Sequence, residues 1–364
     1  MPAADRRGRV NRRITTFEEF RDAVSAYRLP RILLMALELD LFTKIGTRRW
    51  TIPQLAKAVA MSERGLSILC RNLAMSGLLT KTGLVYRNSR LAATALNARH
   101  AAYRKDYLDL MASHWQDWAR LGESVRTGRP LDEDVPEEPG YRRRFTWAMH
   151  YRTLETAPKI AGQVDLHGAK TLLDLGGGPG TYAMAFLSKH PRLRAAVGDR
   201  PEALEVAREI AATHKAESRL SYVPVDFTKE AISGTYDVIW YSNVLHIYSP
   251  ATNRAIFRRA LAALNPGGRL LIQDAFLHDR EGLQPAEASL FAVSMLLFTE
   301  EGNTYSAKET SVWLKEAGFA KTKVLRMKPG TEDWEDGILE AVASAARPRT
   351  RARRTQSRES SKSR

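Results

Sequence analysis

The sequence predicts an α/β protein in which a smaller, mostly helical domain precedes a doubly wound parallel sheet. From about residue 168 onward, short apolar strands alternate with helical patterns, which is typical of a doubly wound sheet. Residues 14 to about 98 instead contain short helical patterns followed by a hairpin, with a turn predicted at Lys81-Thr82-Gly83. At 364 residues the chain is long enough for two domains with separate hydrophobic cores.

A glycine-rich turn links a predicted strand at Thr171–Leu175 to a predicted helix that starts near Tyr182. Gly176 and Gly178 allow the backbone to approach a ligand closely, and a helix N-terminus offers free N–H groups. By itself this turn is a weak dinucleotide fingerprint that a purely structural turn can imitate. Asp174 precedes it, however, and a carboxylate repels a pyrophosphate but suits a cofactor with ammonium and sulfonium charges. The turn therefore favours S-adenosylmethionine (SAM) over NAD.

Further strands are predicted at residues 194–198, 220–223, 236–241 and 269–273, with an antiparallel edge pair at 322–327 and 337–341. Ligands of open α/β sheets bind beyond the C-terminal ends of the strands. Asp199 lies at such an end, 23 residues after Gly176, where a carboxylate would bind ribose hydroxyls or cap the helix that starts at Pro201. Asp226 and Phe227 follow the next strand, where they would bind and stack on an adenine or simply form a turn.

The fourth and fifth strands end in residues suited to proton transfer. Ser242 follows the fourth strand and is expected to line the cofactor site. His246 follows it and is the best candidate for a general base, because an unperturbed imidazole pKa of about 6.5 allows it to accept a proton at neutral pH. Asp274 follows the fifth strand, where it would hold the other imidazole nitrogen. The alternative is that His246 is a satisfied structural histidine.

The composition, with 44% hydrophobic residues, is that of an ordinary globular protein. The single cysteine, Cys70, excludes an internal disulfide and suits a reducing compartment. The chain contains no apolar run of about eighteen residues, and its charged start lacks a secretory apolar segment. We therefore expect a cytoplasmic protein with no membrane span, and we assign no metal ligands.

The formal net charge of +15 is concentrated at the two ends of the chain. Residues 1–13 carry +4 and residues 347–364 carry +7, which leaves +4 for everything between them. We expect both ends to be disordered, because their composition offers no apolar surface to bury. Such a tail would solubilise the protein or contact nucleic acid without sequence preference.

Helices followed by a hairpin, as predicted for residues 14–98, have the order of a winged helix. With Arg64 and Arg71 on the second helix, one hypothesis is a DNA-binding regulator whose C-terminal domain senses a ligand. Few basic residues crowd that helix, so a dimerisation module is the alternative. Residues 99–165 predict a helical connector, whose aromatic residues either belong to the core or line an apolar pocket.

From about residue 25 to 345 the chain resembles the SAM-dependent O-methyltransferases of the plant caffeic-acid and acetylserotonin type and their bacterial relatives. The resemblance rests on six motifs in the same order along the chain: Leu173-Asp174-Leu175-Gly176-Gly177-Gly178, Asp199-Arg200-Pro201, Val225-Asp226-Phe227, Asn243-Val244-Leu245-His246, Leu264-Asn265-Pro266-Gly267-Gly268 and Lys315-Glu316-Ala317-Gly318-Phe319. It implies a homodimer with a winged-helix dimerisation domain at 14–98, a connector at 99–165 that contributes to the substrate pocket, and a Rossmann-like, seven-stranded SAM methyltransferase domain at 166–346.

The resemblance also implies roles for individual residues. It places the general base at His246 and its acidic partner at Asp274, where plant members usually have glutamate. Substrate-lining positions fall at Phe145, Met149 and Met295. The expected reaction is methyl transfer from SAM to a hydroxyl of a small aromatic, polyketide-like or other apolar metabolite. Methylation of RNA and NAD-dependent oxidation are minor alternatives.

Two positions depart from the plant pattern. The second acidic partner of the histidine falls near Thr304, so half of the acidic support found in plant members is missing. The plant triplet His-Asp-Trp reads His246-Ile247-Tyr248 here.

Overall fold

The computed structural model describes residues 13–131, 140–166, 168–212, 217–327 and 337–345. The basic C-terminal tail at 347–364, the basic N-terminus apart from Arg13, and most of the polar loop predicted between residues 128 and 140 lie outside the described residues.

The N-terminal part consists of short helices and a small antiparallel sheet of order β1-β3-β2. Its elements are α1 (Phe17–Ser25), α2 (Arg28–Glu38), α3 (Leu41–Ile45), β1 (Trp50–Thr51), α4 (Ile52–Val59), α5 (Glu63–Met75), β2 (Leu79–Thr82), β3 (Val85–Asn88) and α6 (Arg90–Thr94). They enclose a separate apolar core in which Phe42, Leu55, Cys70 and Leu73 are fully or almost fully buried. The predicted hairpin is present, but its turn lies at Gly83 and Leu84, slightly later than predicted, because Thr82 still pairs with Val85.

The connector is helical, as predicted, with α7 (Lys105–Ala119), α8 (Leu121–Thr127), α9 (Tyr141–Thr153) and α10 (Ala157–Ala161). A bidentate ion pair between Arg143 and Glu209 connects helix α9 to the C-terminal domain. Arg143 Nη1 and Nη2 each lie 2.6 Å from a carboxylate oxygen of Glu209. The connector therefore packs onto the domain that follows it.

The C-terminal part is built on a seven-stranded sheet of order β6-β5-β4-β7-β8-β10-β9. Its strands are β4 (Thr171–Leu175), β5 (Arg194–Asp199), β6 (Leu220–Pro224), β7 (Tyr236–Ser242), β8 (Leu264–Gln273), β9 (Lys321–Leu325) and β10 (Ile338–Val342). Its helices are α11 (Thr181–Lys189), α12 (Pro201–Ala211), α13 (Pro250–Ala262), α14 (Ala286–Phe298) and α15 (Ala307–Ala317), with short 3-10 helices at Glu217–Arg219 and Leu245–Ile247. Strands β4 to β8 are parallel, and β10 is antiparallel to both of its neighbours.

This sheet confirms the predicted fold class, including the antiparallel pair at the edge. Several strand boundaries differ from the prediction by one or two residues. The largest difference is at β8, which begins at Leu264, so the segment predicted to precede the strand belongs to it. Both faces of the sheet are covered, because Leu173 and Leu175 pack into one apolar cluster and Leu172 into another. By the two-residue period of a strand, Asp174 therefore lies on the face that α11 covers. In the part of the chain that the structure describes, no helix has the length and apolarity needed to cross a bilayer.

Candidate active site

The glycine turn after β4 forms the centre of the candidate site. A Cβ atom at Gly176, whose φ is +70°, would lie 2.8 Å from Cγ2 of Val244, so only glycine fits there. At Gly178 no atom lies within 4 Å of the position that a Cβ would take. The turn is thus packed tightly at its first glycine and open at its third.

Asp174 lies behind this turn and does not face the open side. Its side chain is 1% exposed, and Oδ2 accepts a hydrogen bond of 3.1 Å from the N–H of Ala183 in α11. Burial, assisted by the nearby charge of Asp199, raises the pKa of Asp174 to about 7. In this structure Asp174 supports the turn from within, and its direct contact with the positive charges of the cofactor stays a prediction.

Asp199, at the end of β5, holds the open part of the turn. Its Oδ2 accepts the N–H of Gly178 at 2.8 Å, and its Oδ1 accepts the N–H of Arg200 at 2.7 Å. Burial raises the pKa of Asp199, while these two backbone donors and the charge of Arg200 act in the opposite direction. A carboxylate fixed in this way keeps further lone pairs for ligand hydroxyls.

The residues after β6 take part in a turn of their own. Asp226 Oδ1 accepts hydrogen bonds from the N–H and the hydroxyl of Thr228, and the hydroxyl is the main reason that the pKa of Asp226 is lowered. Phe227 is buried beside the glycine turn, with Cζ 3.3 Å from the Cβ position of Gly176. The turn that was predicted as the alternative to adenine binding is therefore present. The Phe227 ring lies next to Gly176, one of the residues predicted to bind the cofactor.

The ends of β7 and β8 are tied together by polar side chains. Ser242 Oγ donates to Oε1 of Gln273 at 2.9 Å and accepts a hydrogen bond from Nδ2 of Asn243 at 2.9 Å. Asn243 has a left-handed backbone with φ of +56°, which turns the chain toward His246. Gln273 was not among the predicted site residues, because nothing in an apolar strand indicates which neighbour its terminal side chain will contact.

His246 and Asp274 form the predicted pair. Nδ1 of His246 lies 2.8 Å from Oδ1 of Asp274, and both side chains are almost fully buried. Asp274 Oδ1 also accepts the N–H of Ala275 at 2.7 Å, which orients the carboxylate. The ring of Phe291 from α14 meets the imidazole edge-on, with centroids 4.7 Å apart. With Nδ1 bound to a carboxylate, Nε2 is the nitrogen that can accept a proton.

The segment containing Thr304 packs against His246. The N–H of Asn303 donates to the carbonyl oxygen of His246 at 2.9 Å, and a Cβ at Gly302 would lie 2.5 Å from the same oxygen. Thr304 itself is 5% exposed and neutral. The segment expected to hold a second acidic partner therefore contacts the backbone of the histidine, and Thr304 supplies no charge.

The three substrate-lining candidates lie on two helices. Met295 is buried on α14, the helix that also brings Phe291 to His246, whereas Phe145 and Met149 lie on α9 and are 40% exposed and half-buried, respectively. Helix α9 also contacts the start of α11, directly after the glycine turn, through a residue that was not predicted to belong to the site. This residue is His150, whose Nδ1 lies 2.9 Å from Oγ1 of Thr181, the first residue of α11.

These features fit SAM. The open space at Gly178, the fixed Asp199 carboxylate and the apolar ring of Phe227 lie together at the carboxyl ends of parallel strands, where open α/β sheets bind their ligands. The His246–Asp274 pair lies at the same edge, at the ends of the neighbouring strands.

Comparison with known proteins agrees with this geometry. The O-methyltransferase domain family matches residues 118–320, and the O-methyltransferase dimerisation domain family matches residues 22–98. The chain is 29% identical over 316 residues to a 3-hydroxy-5-methyl-1-naphthoate 3-O-methyltransferase of Streptomyces sahachiroi, covering 84% of this chain and 90% of the relative. It is 30% identical over 304 residues to the tetracenomycin polyketide synthesis 8-O-methyl transferase of Streptomyces glaucescens, covering 80% and 88%.

A solved structure has the same fold. An O-methyltransferase family protein from Burkholderia thailandensis superposes with a TM-score of 0.80 at 25% identity, covering 92% of this chain and 100% of that one. No comparison supports the DNA-binding hypothesis for residues 14–98, which overlap the dimerisation domain. SAM is the cofactor of the family. The chain therefore belongs to the O-methyltransferase family, and it is a SAM-dependent O-methyltransferase.

Proposed function

We propose that this enzyme methylates a hydroxyl of an aromatic, polyketide-like small molecule, with His246 as the general base and Asp274 as the residue that orients it. The observation that carries the proposal is the 2.8 Å contact between Nδ1 of His246 and Oδ1 of Asp274 at the edge of the sheet where the glycine turn lies. Bound SAM supplies an activated methyl group. The chain must then align the acceptor hydroxyl and remove its proton.

The buried pair suits proton removal. Asp274 accepts a hydrogen bond from Nδ1–H, so Nε2 of His246 carries the lone pair that would take the proton of the acceptor hydroxyl. The negative charge of Asp274 then stabilises the imidazolium in surroundings that exclude water. Because Thr304 adds no second charge, Asp274 is the sole carboxylate assigned to this task.

For the cofactor, we assign Asp199 to the ribose hydroxyls and Asp226 with Phe227 to the adenine. The glycine turn, through Gly176 and Gly178, and Ser242 would line the remainder of the site. Asp174 acts from behind the turn by holding it against α11. This assignment follows the edge of the sheet from β4 and β5 through β6 and β7.

The acceptor class is inferred from the pocket candidates and the relatives. Phe145, Met149, Phe291 and Met295 are apolar, and their helices α9 and α14 approach the cofactor edge and His246, respectively. Of two relatives, one is named as a naphthoate 3-O-methyltransferase and the other as an 8-O-methyl transferase of tetracenomycin polyketide synthesis. An aromatic hydroxyl compound would bury its rings among these side chains and present its oxygen to the imidazole.

We further propose that the enzyme is a cytoplasmic homodimer formed through the N-terminal domain. Helix α1 buries none of its own residues, and three of its apolar side chains, Phe17, Phe20 and Val24, are 80%, 50% and 56% exposed. A helix with such a face needs a partner to cover it. The dimerisation domain match, which begins at residue 22, supports a second copy of the chain as that partner.

The test is to incubate the purified enzyme with SAM labelled in its methyl group and a panel of hydroxylated naphthoates, anthraquinone-like polyketides and simple phenols. The labelled product is isolated, and NMR establishes whether the label is on oxygen or carbon. Each acceptor is also supplied with its hydroxyl already methylated, which should abolish labelling at that site. Binding of SAM without label on any hydroxyl of the panel would contradict the proposal.

A further inference from the structure

The turn that carries His246 is held by one buried side chain from α13. Asn253 is 0% exposed, and its Nδ2 lies 2.9 Å from the carbonyl oxygen of Leu245, 2.9 Å from that of Tyr248 and 3.2 Å from that of Ser249. These carbonyls lie on both sides of His246 along the chain. A single amide therefore fixes the backbone before and after the imidazole.

The orientation of this amide is itself determined by the structure. The hydroxyl of Tyr241 donates to Oδ1 of Asn253 at 3.2 Å, which directs the NH₂ group toward the carbonyls. A further hydroxyl, that of Tyr305, donates to the carbonyl oxygen of Tyr248 at 2.9 Å. We call this arrangement of Asn253, Tyr241 and Tyr305 the clamp; its side chains come from α13, from β7 and from the segment just before α15.

The turn has little regular structure of its own. It is a three-residue 3-10 helix, and the distance from Tyr248 N to Leu245 O is 3.5 Å, at the limit of a hydrogen bond. Without the amide, the carbonyl oxygens of Tyr248 and Ser249 would keep the Tyr305 hydroxyl and the Asn253 N–H as donors, but that of Leu245 would keep only the 3.5 Å contact with Tyr248 N. A buried carbonyl oxygen with so weak a donor costs free energy, so the backbone at Leu245 would move to find another partner. The position of His246 would move with it.

We infer that Asn253 is a positioning residue for methyl transfer. It holds the backbone of the turn so that Nδ1 of His246 meets Oδ1 of Asp274 and Nε2 is presented to the acceptor hydroxyl. The inference rests on the proposed role of His246 as the base. Misplacement of a catalytic group by about 1 Å can lower the rate on the order of 10²-fold, so a small movement of the turn has a large effect.

The test compares Asn253→Asp with a matched control, Asn88→Asp. Each substitution keeps the shape of the side chain and replaces its donor group by an acceptor that faces backbone carbonyls. Asn88 Nδ2 lies 2.8 and 2.9 Å from the carbonyl oxygens of Phe42 and Gly46 in the N-terminal domain, far along the chain from His246. Both variants should lose stability in thermal unfolding, so loss of stability does not distinguish them.

Two further measurements do distinguish them. For Asn253→Asp we expect kcat to fall roughly 10- to 100-fold, with the affinity for SAM by calorimetry unchanged. The downfield proton signal of the His246–Asp274 hydrogen bond, assigned by its absence in His246→Ala, should shift or disappear in the NMR spectrum of ¹⁵N-histidine-labelled enzyme. For Asn88→Asp both kcat and this signal should match the unaltered protein.

A milder variant covers the case in which Asn253→Asp does not fold. Tyr241→Phe removes only the hydroxyl that orients the amide, and it should lower kcat and shift the same signal to a smaller extent. An unaltered signal and unaltered kcat in folded Asn253→Asp, or in Tyr241→Phe when the first variant is unfolded, would overturn the inference. The proton signal does not require turnover, so it tests the clamp even if His246→Ala were to retain full activity and the proposed base were wrong.

Discussion

The backbone of Gly177 packs directly on the carboxyl group of Asp174. A Cβ atom at Gly177 would lie 2.6 Å from Cγ of Asp174, closer than real Cβ atoms approach other atoms. The second glycine of the turn is therefore required by the buried acid, not by a positive φ. This contact joins the strand that ends at Leu175 to the cofactor edge of the sheet.

Gly177→Ala should destabilise the turn. We expect the free energy of unfolding to fall by about 1–3 kcal/mol, the usual cost of overpacking, and SAM to bind more weakly because the displaced turn no longer fits it. Denaturant unfolding and calorimetry measure the two effects. Gly65→Ala is the control, because its added Cβ would meet only ordinary contacts at 3.9 Å or more within α5. Equal SAM affinity in both variants would contradict the prediction.

Asp174→Asn should show a stability difference that depends on pH. The pKa of Asp174 is raised to about 7 in the folded protein, above the unfolded value near 3.9. Between these values the unfolded state loses its proton while the folded state keeps it, so this group makes the protein less stable as pH rises from about 4 to 7. The amide side chain of Asp174→Asn carries no charge, so it does not make the protein less stable as the pH rises.

The free energy of unfolding of Asp174→Asn, relative to that of the unaltered protein, should therefore increase by on the order of 3 kcal/mol between pH 4 and pH 7. Urea unfolding at several pH values in the absence of SAM measures the difference. A difference in unfolding free energy that stays constant across this range would show that Asp174 is ionised in the folded state.

His246→Ala should lower kcat by about 10²- to 10⁴-fold, the usual contribution of a general base. SAM affinity should be retained, since the imidazole is assigned to the acceptor and not to the cofactor. Steady-state kinetics with labelled SAM and calorimetry make the two measurements. His100→Ala is the control, because the His100 ring only accepts a backbone N–H from Ala102 in an exposed turn. An unchanged kcat in His246→Ala would remove this residue from the mechanism.

Asp199→Ala should weaken SAM binding by roughly 10- to 100-fold, as expected for hydrogen bonds to a charged group. The matched control is Asp237→Ala. Asp237 Oδ2 likewise accepts two backbone N–H groups, those of Lys170 and Thr171, but it lies at the amino end of β7, away from the carboxyl ends of the strands. Both variants should lose stability, whereas calorimetry should detect weaker SAM binding in Asp199→Ala alone. Comparable SAM affinity in the two would refute the ribose assignment.

The double variant Phe17→Ser/Phe20→Ser should shift the protein from dimer to monomer, because it removes the exposed apolar face of α1. Sedimentation velocity over a range of concentrations measures the change. Val312→Ser replaces an apolar residue that is 48% exposed on α15 of the C-terminal domain and should leave the dimer intact. A dimer of unchanged stability in the double variant would place the interface elsewhere.

Much of the cofactor edge followed from the spacing of residues along the chain. Strand β4 was predicted with its exact ends, and Asp199 and His246 were recognised because each follows an apolar strand. Parallel strands bring their carboxyl ends to one edge, so sequence order alone was enough to group these residues. The hairpin turn was predicted to begin two residues and to end one residue too early, since a short alternating pattern fits neighbouring registers almost equally well.

The sequence by itself determined the order of strands and helices, the glycine turn and the residues that end each strand, because these depend on local periodicity and backbone geometry. Only the tertiary structure decided that Asp174 is buried behind the turn, that Phe291 meets the imidazole, and that Asn253 faces three carbonyls. The burial and partners of a polar side chain are set by elements far away in sequence, and no local pattern records them.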